Sequence, residues 1–98
     1  METSPDFARV AEMFKVLGNE SRLELLVALD TESMTVSQLA RQTHLSQPLV
    51  SQHLRTLRTA GMVTATRQGR EVIYQLADEH VAHVVTDAII HAHEKLES

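Results

Sequence analysis

Cysteine is absent from this chain of 98 residues, which excludes disulfides and thiolate metal sites alike. Tryptophan is absent too, and two phenylalanines and one tyrosine are its only aromatic side chains. With 43% hydrophobic residues and so few rings, the core must be aliphatic, a composition that suits small helices better than a sheet sandwich. No apolar run approaches the roughly 18 residues that a membrane span needs. The N-terminus lacks a basic flank followed by an apolar stretch, so the expectation is a cytoplasmic chain, neither secreted nor membrane-spanning. No repeat, low-complexity segment or linker divides it. Residues 1–98 therefore read as a single domain with one modest core.

A net charge of −4 looks wrong for a nucleic-acid binder until it is divided along the chain. Residues 1–32 carry three basic and seven acidic side chains, and residues 78–98 carry Lys95 against five acids. Between them, residues 33–77 hold Arg41, Arg55, Arg58, Arg67 and Arg70 against Glu71 alone. A phosphate-contacting surface needs such a basic middle, and the acidic ends are free to face elsewhere. The plainer reading of five arginines is a solvated face.

Periodicity predicts five helices and a hairpin. Phe7, Val10, Phe14 and Leu17 form a helical stripe over residues 5–17, closed by Gly18. Asn19 caps a second helix over about 20–30, with Leu23, Leu26, Val27 and Leu29 inward. Thr35 and Gln38 have the spacing of a capping box and open a third. Ser46 caps a fourth, in which Pro48 is tolerated in the first turn; Val50, Leu54 and Leu57 face inward and Gly61 ends it. Two short helices joined through a few residues around His44 and Leu45 read as helix-turn-helix. The outer face of the second then presents Gln47, Ser51, Gln52 and Arg55, side chains that can hydrogen-bond base edges or phosphates in a major groove. An amphipathic helix with a polar outside would look the same in isolation.

After Gly61 the period changes to two. Val63 and Ala65, then Val72, Tyr74 and Leu76, alternate with polar residues on both sides of Arg67-Gln68-Gly69-Arg70. Gly69 can supply the positive φ of a hairpin tip, and Arg67, Gln68 and Arg70 make that tip a basic ribbon suited to backbone or minor-groove contact. Coupled to the helix-turn-helix upstream, the hairpin completes a winged helix.

The last stretch, about 78–96, carries Asp78 and His80 at one end and His91 and Glu94 at the other. These are nitrogen and oxygen donors of the kind that hold zinc. His80 and His91 would lie roughly 16 Å apart along one helix, too far to share an ion. Positions 80, 91 and 94 nonetheless fall within about 60° of one another around the axis. Two copies packed antiparallel would bring Asp78 and His80 of one chain against His91 and Glu94 of the other, twice in a two-fold homodimer. Asp78 and His80 converge only if Asp78 is the N-cap. His83 lies one turn beyond His80 and could extend the set toward a six-coordinate nickel or cobalt site. His93 points about 140° away and reads as peripheral. His53, inside the fourth helix, reads as partly buried with one satisfied nitrogen.

The stretch LSQPLVSQHLRTLRTAGMVTATRQGREVIYQL, followed by DEHVAHVVTDAIIHAHE, resembles the ArsR/SmtB family of bacterial metal-sensing repressors, from about Val10 to Glu94. The resemblance rests on the run ending in LRTAGMV, the RQGR tip and the D-x-H…H-x-x-E pattern. It implies a mainly α winged helix-turn-helix with a small β-hairpin, dimeric through its first and last helices. Such a protein binds a palindromic operator when metal-free and is released by metal. Asp78, His80, His91 and Glu94 match the zinc-sensing branch residue by residue. The non-liganding nitrogen of His91 is expected to donate to a backbone carbonyl near the helix-turn-helix and so carry the signal. Where some relatives carry cysteines, this chain has Met34-Thr35-Val36-Ser37, which disfavours soft metals. Nickel or cobalt sensing is the alternative within the family. A metal-buffering or protein-docking winged helix that never touches DNA is the alternative outside it. An enzyme is not expected, and neither is a small organic substrate, because four protein ligands leave zinc without an open position.

Overall fold

The computed structural model describes residues 4–97. Its elements run α1 (Phe7–Leu17), α2 (Glu20–Thr31), α3 (Val36–Thr43), α4 (Gln47–Thr59), β1 (Val63–Gln68), β2 (Glu71–Leu76) and α5 (Glu79–Glu97). Local chemistry sets most boundaries. Asp6 accepts a hydrogen bond from the Arg9 amide, so α1 starts two residues later than periodicity alone suggests. Asn19 caps α2 through the Arg22 amide, and Ser46 caps α4 through the Leu49 amide. At α3 the capping box is complete: Thr35 Oγ1 accepts from the Gln38 amide, and the Gln38 side chain accepts from the Thr35 amide. His44 then ends α3 in the left-handed region, at φ 63°, where the chain turns into α4.

The hairpin pairs Val63 with Leu76, Ala65 with Tyr74 and Arg67 with Val72 on one face. Gly69 at φ 64° is the first of two loop residues and the second, Arg70, keeps a negative φ, the pattern of a type II′ turn. A contact that periodicity missed anchors this ribbon. Met34, ahead of α3, exchanges both backbone hydrogen bonds with Tyr74, at 3.0 and 2.8 Å. Met34 is itself buried, so its side chain belongs to the core.

The core is aliphatic, as the composition requires: Leu25, Leu26, Leu39, Val50, Leu54, Leu57, Met62 and Val63 are sealed from solvent. Helix α2 lies at its centre and touches α1, α3, α4, α5 and β2. That explains one correction. Leu25, Leu26, Ala28 and Leu29 are all buried, whereas Val27, expected inside, is 44% exposed. A helix surrounded on several sides has no single apolar stripe for a 3.6-residue period to reveal. Helix α5, by contrast, packs chiefly on α2 and β2. Val81 and Val85 are buried, while every residue from Thr86 to Glu94 is exposed. The radius of gyration, 14.6 Å, exceeds the roughly 13 Å expected of a compact chain this long, because the end of α5 and the hairpin project. No helix among the described residues is long and apolar enough to cross a membrane.

Candidate functional site

Helix α4 turns Val50, His53, Leu54 and Leu57 inward and leaves Gln47, Ser51, Gln52 and Arg55 exposed. All four expected recognition residues are therefore on its free surface. Arg58, three residues beyond Arg55, is exposed as well and extends the same face by a turn. Its membership was legible from the i, i+3 spacing. At the hairpin tip Arg67, Gln68 and Arg70 are exposed, and so is Arg41 on α3. The five arginines of the basic middle thus remain available to phosphates.

His53 is more deeply placed than expected, at 8% exposure. Burial, and secondarily the positive charge of Arg22, push its ring below the usual histidine range. It is structural rather than a ligand.

Asp78 takes the N-cap position of α5, its carboxylate accepting from the Val81 amide at 3.1 Å. This is the placement required for Asp78 and His80 to converge. Both line a groove of about 260 Å³ between α1 and α5, whose apolar wall is Val10, Met13, Phe14, Leu17 and Val84. Phe7 and Phe14 on the same side of α1 are 75% and 61% exposed, a large apolar area for one chain to leave in water. His83 instead faces a wider groove between α2, β2 and α5, shared with Asp30, Asp78 and Asp87. Asp78 borders both grooves. His91 and Glu94 stand exposed on the projecting half of α5, as does His93. Among the described residues of one chain, no three His, Asp or Glu side chains come together to hold a metal ion. Asp78 and His80 border the same groove, and His91 and Glu94 stand at the far end of the same helix.

These elements define a winged helix-turn-helix: a recognition helix, a basic hairpin, and two flanking helices with uncovered apolar faces. Residues 19–65 match the model of the family described as bacterial regulatory protein, arsR family. The HTH-type transcriptional repressor SmtB of Mycobacterium tuberculosis is 46% identical over 83 residues, covering 85% of this chain and 62% of that protein. The HTH-type transcriptional regulator NmtR of the same organism is 39% identical over 85 residues, covering 87% of this chain and 71% of NmtR. Among solved structures, a homodimeric winged helix-turn-helix DNA-binding domain from Mycobacterium bovis superposes with a TM-score of 0.87 at 30% identity, over 99% of this chain and 94% of that one. The solution structure of apo-NmtR superposes at 0.78 with 35% identity, over 95% and 82% of the two chains. This chain belongs to the ArsR family of bacterial regulatory proteins. It spans about three fifths of the length of the first curated relatives it matches.

Proposed function

We propose that this protein is a metal-responsive transcriptional repressor, a homodimer that binds operator DNA when metal-free and leaves it when zinc is bound. The observation that carries this reading is the pairing of an unfinished donor set with an uncovered apolar groove. Asp78 and His80 line the α1–α5 groove, and among the described residues of the chain none completes their set. A second copy laid across that groove would cover Phe7, Phe14 and Val84 and bring His91 and Glu94 of its own α5 alongside. The donors fit zinc chemically: two imidazoles, two carboxylates and no sulfur. The Asp78 carboxylate spends one oxygen on the Val81 amide and has the other to offer.

In the metal-free dimer, Gln47, Ser51, Gln52 and Arg55 of each α4 face a major groove, and Arg67, Gln68 and Arg70 flank it on the phosphates. Bound zinc would supply a rigid junction between the two chains. This chain's residues provide the route onward: Val81 and Val85 seat α5 on α2, and α2 in turn carries α4. Re-seating α5 therefore reaches the recognition helix through shared core contacts. By linkage, DNA must weaken zinc binding by the factor by which zinc weakens DNA binding. A nickel or cobalt reading draws support from His83, which shares a groove with Asp78. Cobalt absorption separates the two, since tetrahedral cobalt is intensely coloured and octahedral cobalt faint.

The test is fluorescence anisotropy on a duplex from the protein's own upstream region, with chelator and then with zinc. Tight binding in chelator that is lost near one zinc per chain is the expected result. Tight binding indifferent to zinc discards zinc as the signal. Absence of binding in both states favours a buffering or docking protein.

A further inference from the structure

The corner between α1 and α2 is closed by hydrogen bonds. A helix ends with carbonyls that its own turns cannot serve, and here each of the last four has a donor. The Gly18 amide serves Phe14 at 3.0 Å and Lys15 at 3.3 Å, and the Asn19 amide serves Leu17 at 2.8 Å. The carbonyl of Val16 is served by a side chain of the next helix: Arg22 Nε donates to it at 2.7 Å. A cation there also faces the negative end of the α1 dipole. Arg22 is anchored in turn, because its amide donates to Asn19 Oδ1 at 2.9 Å.

Little else fixes the direction of α1. Its last turn is buried at Val16 and Leu17, Met13 is half-buried, and the other residues from Phe7 to Lys15 are exposed. The element it chiefly packs on is α2. A helix held at one end behaves as a lever. Phe7 lies about 13 Å from Val16 along the axis, so an error of about 10° at the corner moves it by about 2 Å. That lever is one wall of the α1–α5 groove, with Val10, Phe14 and Leu17 facing Val81 and Val84.

We propose that Arg22 is a positioning residue for subunit pairing. By capping the Val16 carbonyl it holds α1 at the angle where its exposed phenylalanines and the α5 face form one surface for a second copy. Arg22 does not line the groove and acts through α1. The pairing step rests on the α1–α5 dimer of the proposed function, whereas the rigidity of the corner does not.

The full chain is compared with Arg22→Gln, Arg22→Met and Phe14→Ser. The side-chain nitrogen of glutamine stands as many bonds from Cα as arginine Nε, so it keeps a donor for the Val16 carbonyl. Methionine keeps the length without the donor. Sedimentation gives the dimer dissociation constant, and hydrogen exchange well below that constant reads the α1 and α4 amides of the single chain. Each such bond is worth about a factor of five and the dimer holds two, so Arg22→Met should raise the constant on the order of tenfold. Arg22→Gln should stay within about twofold of wild type. In Arg22→Met the α1 amides should exchange faster while α4 is unchanged.

A wild-type constant in Arg22→Met overturns the proposal. So does an equal rise in both Arg22 variants, which assigns the effect to charge or bulk. A loss of α4 protection equal to that of α1 overturns it too, making Arg22 a general support of the core. A Phe14→Ser dimer as tight as wild type sinks the α1–α5 pairing itself. Exchange then decides the corner, which equal α1 rates in wild type and Arg22→Met overturn. Should Arg22→Met fail to fold, Arg22→Gln decides: an unchanged constant upholds the proposal and a tenfold rise overturns it.

Discussion

Helices α4 and α5 are built from similar materials, each an amphipathic helix with aliphatic residues on one side and a histidine-bearing polar pattern, yet they end in opposite situations. The inner face of α4 is sealed within its own chain, with Val50, Leu54 and Leu57 buried and even its histidine inside. Among the described side chains of α5, Val81 and Val85 are buried, and Val84, Ile89 and Ile90 remain in water. One helix is complete as folded. The other, with α1 beside it, presents a surface that the described residues leave uncovered. A DNA reader needs the first property, since its side chains must be held rigidly at the outer face. A sensor that works between subunits needs the second, because its state must depend on where a partner lies.

The contrast can be broken from either side. The largest effect is expected at the open surface. Phe14→Ser removes about 1.5–3 kcal/mol of burial per chain, twice over in a two-fold dimer, so the dimer dissociation constant should rise roughly hundredfold or more. Analytical ultracentrifugation reads this directly, and circular dichroism should still report a folded chain. An unchanged dimer would place the interface elsewhere. At the sealed surface, Leu57→Ala should cost roughly 2–5 kcal/mol in urea unfolding, as expected where a leucine is fully enclosed. A loss below about 1 kcal/mol would mean that α4 is less tightly held than its burial indicates.

Two smaller changes sharpen the comparison. Arg67→Glu together with Arg70→Glu should leave stability intact, since both side chains are exposed. Operator affinity should fall on the order of tenfold or more, and the salt slope should shrink by roughly two phosphate contacts. Retained affinity would show that the hairpin is no wing on DNA. The smallest stability effect is expected at Asp78, where the helix cap and the proposed zinc ligand are one carboxylate. Serine can replace the cap, so Asp78→Ser should change unfolding by less than about 0.5 kcal/mol, against about 0.5–2 kcal/mol for Asp78→Ala. Both variants should lose zinc affinity by titration. Wild-type affinity in Asp78→Ser would remove this residue from the ligand set.

Features encoded over three or four residues were legible from the chain alone. The Thr35–Gln38 box, the Ser46 cap and Gly69 at the hairpin tip depend on neighbours in sequence, and all form as expected. The outer face of α4 was legible for the same reason, because its helical period is strong. The burial of α2 was not. Five neighbours cover it from different directions, so Leu25 is inside and Val27 partly outside, against the simplest reading of its period. The Met34–Tyr74 bridge was equally invisible, because it joins residues 40 apart through backbone groups that any side chains could bear.

By itself the sequence determined the kinds of chemistry available. Without cysteine no thiolate could hold a metal, and the charge divided along the chain placed the arginines suited to a phosphate-binding surface in the middle. Helical spacing set Asp78 and His80 too far from His91 and Glu94 to meet within one helix. Only the tertiary structure decided which surfaces were left over. It packed α2 into the centre, buried His53 under α4, made Asp78 the cap of α5, and left the α1–α5 groove uncovered. The reason is physical: a donor or a cap depends on the type of residue and its near neighbours, whereas burial depends on what every other element has already covered.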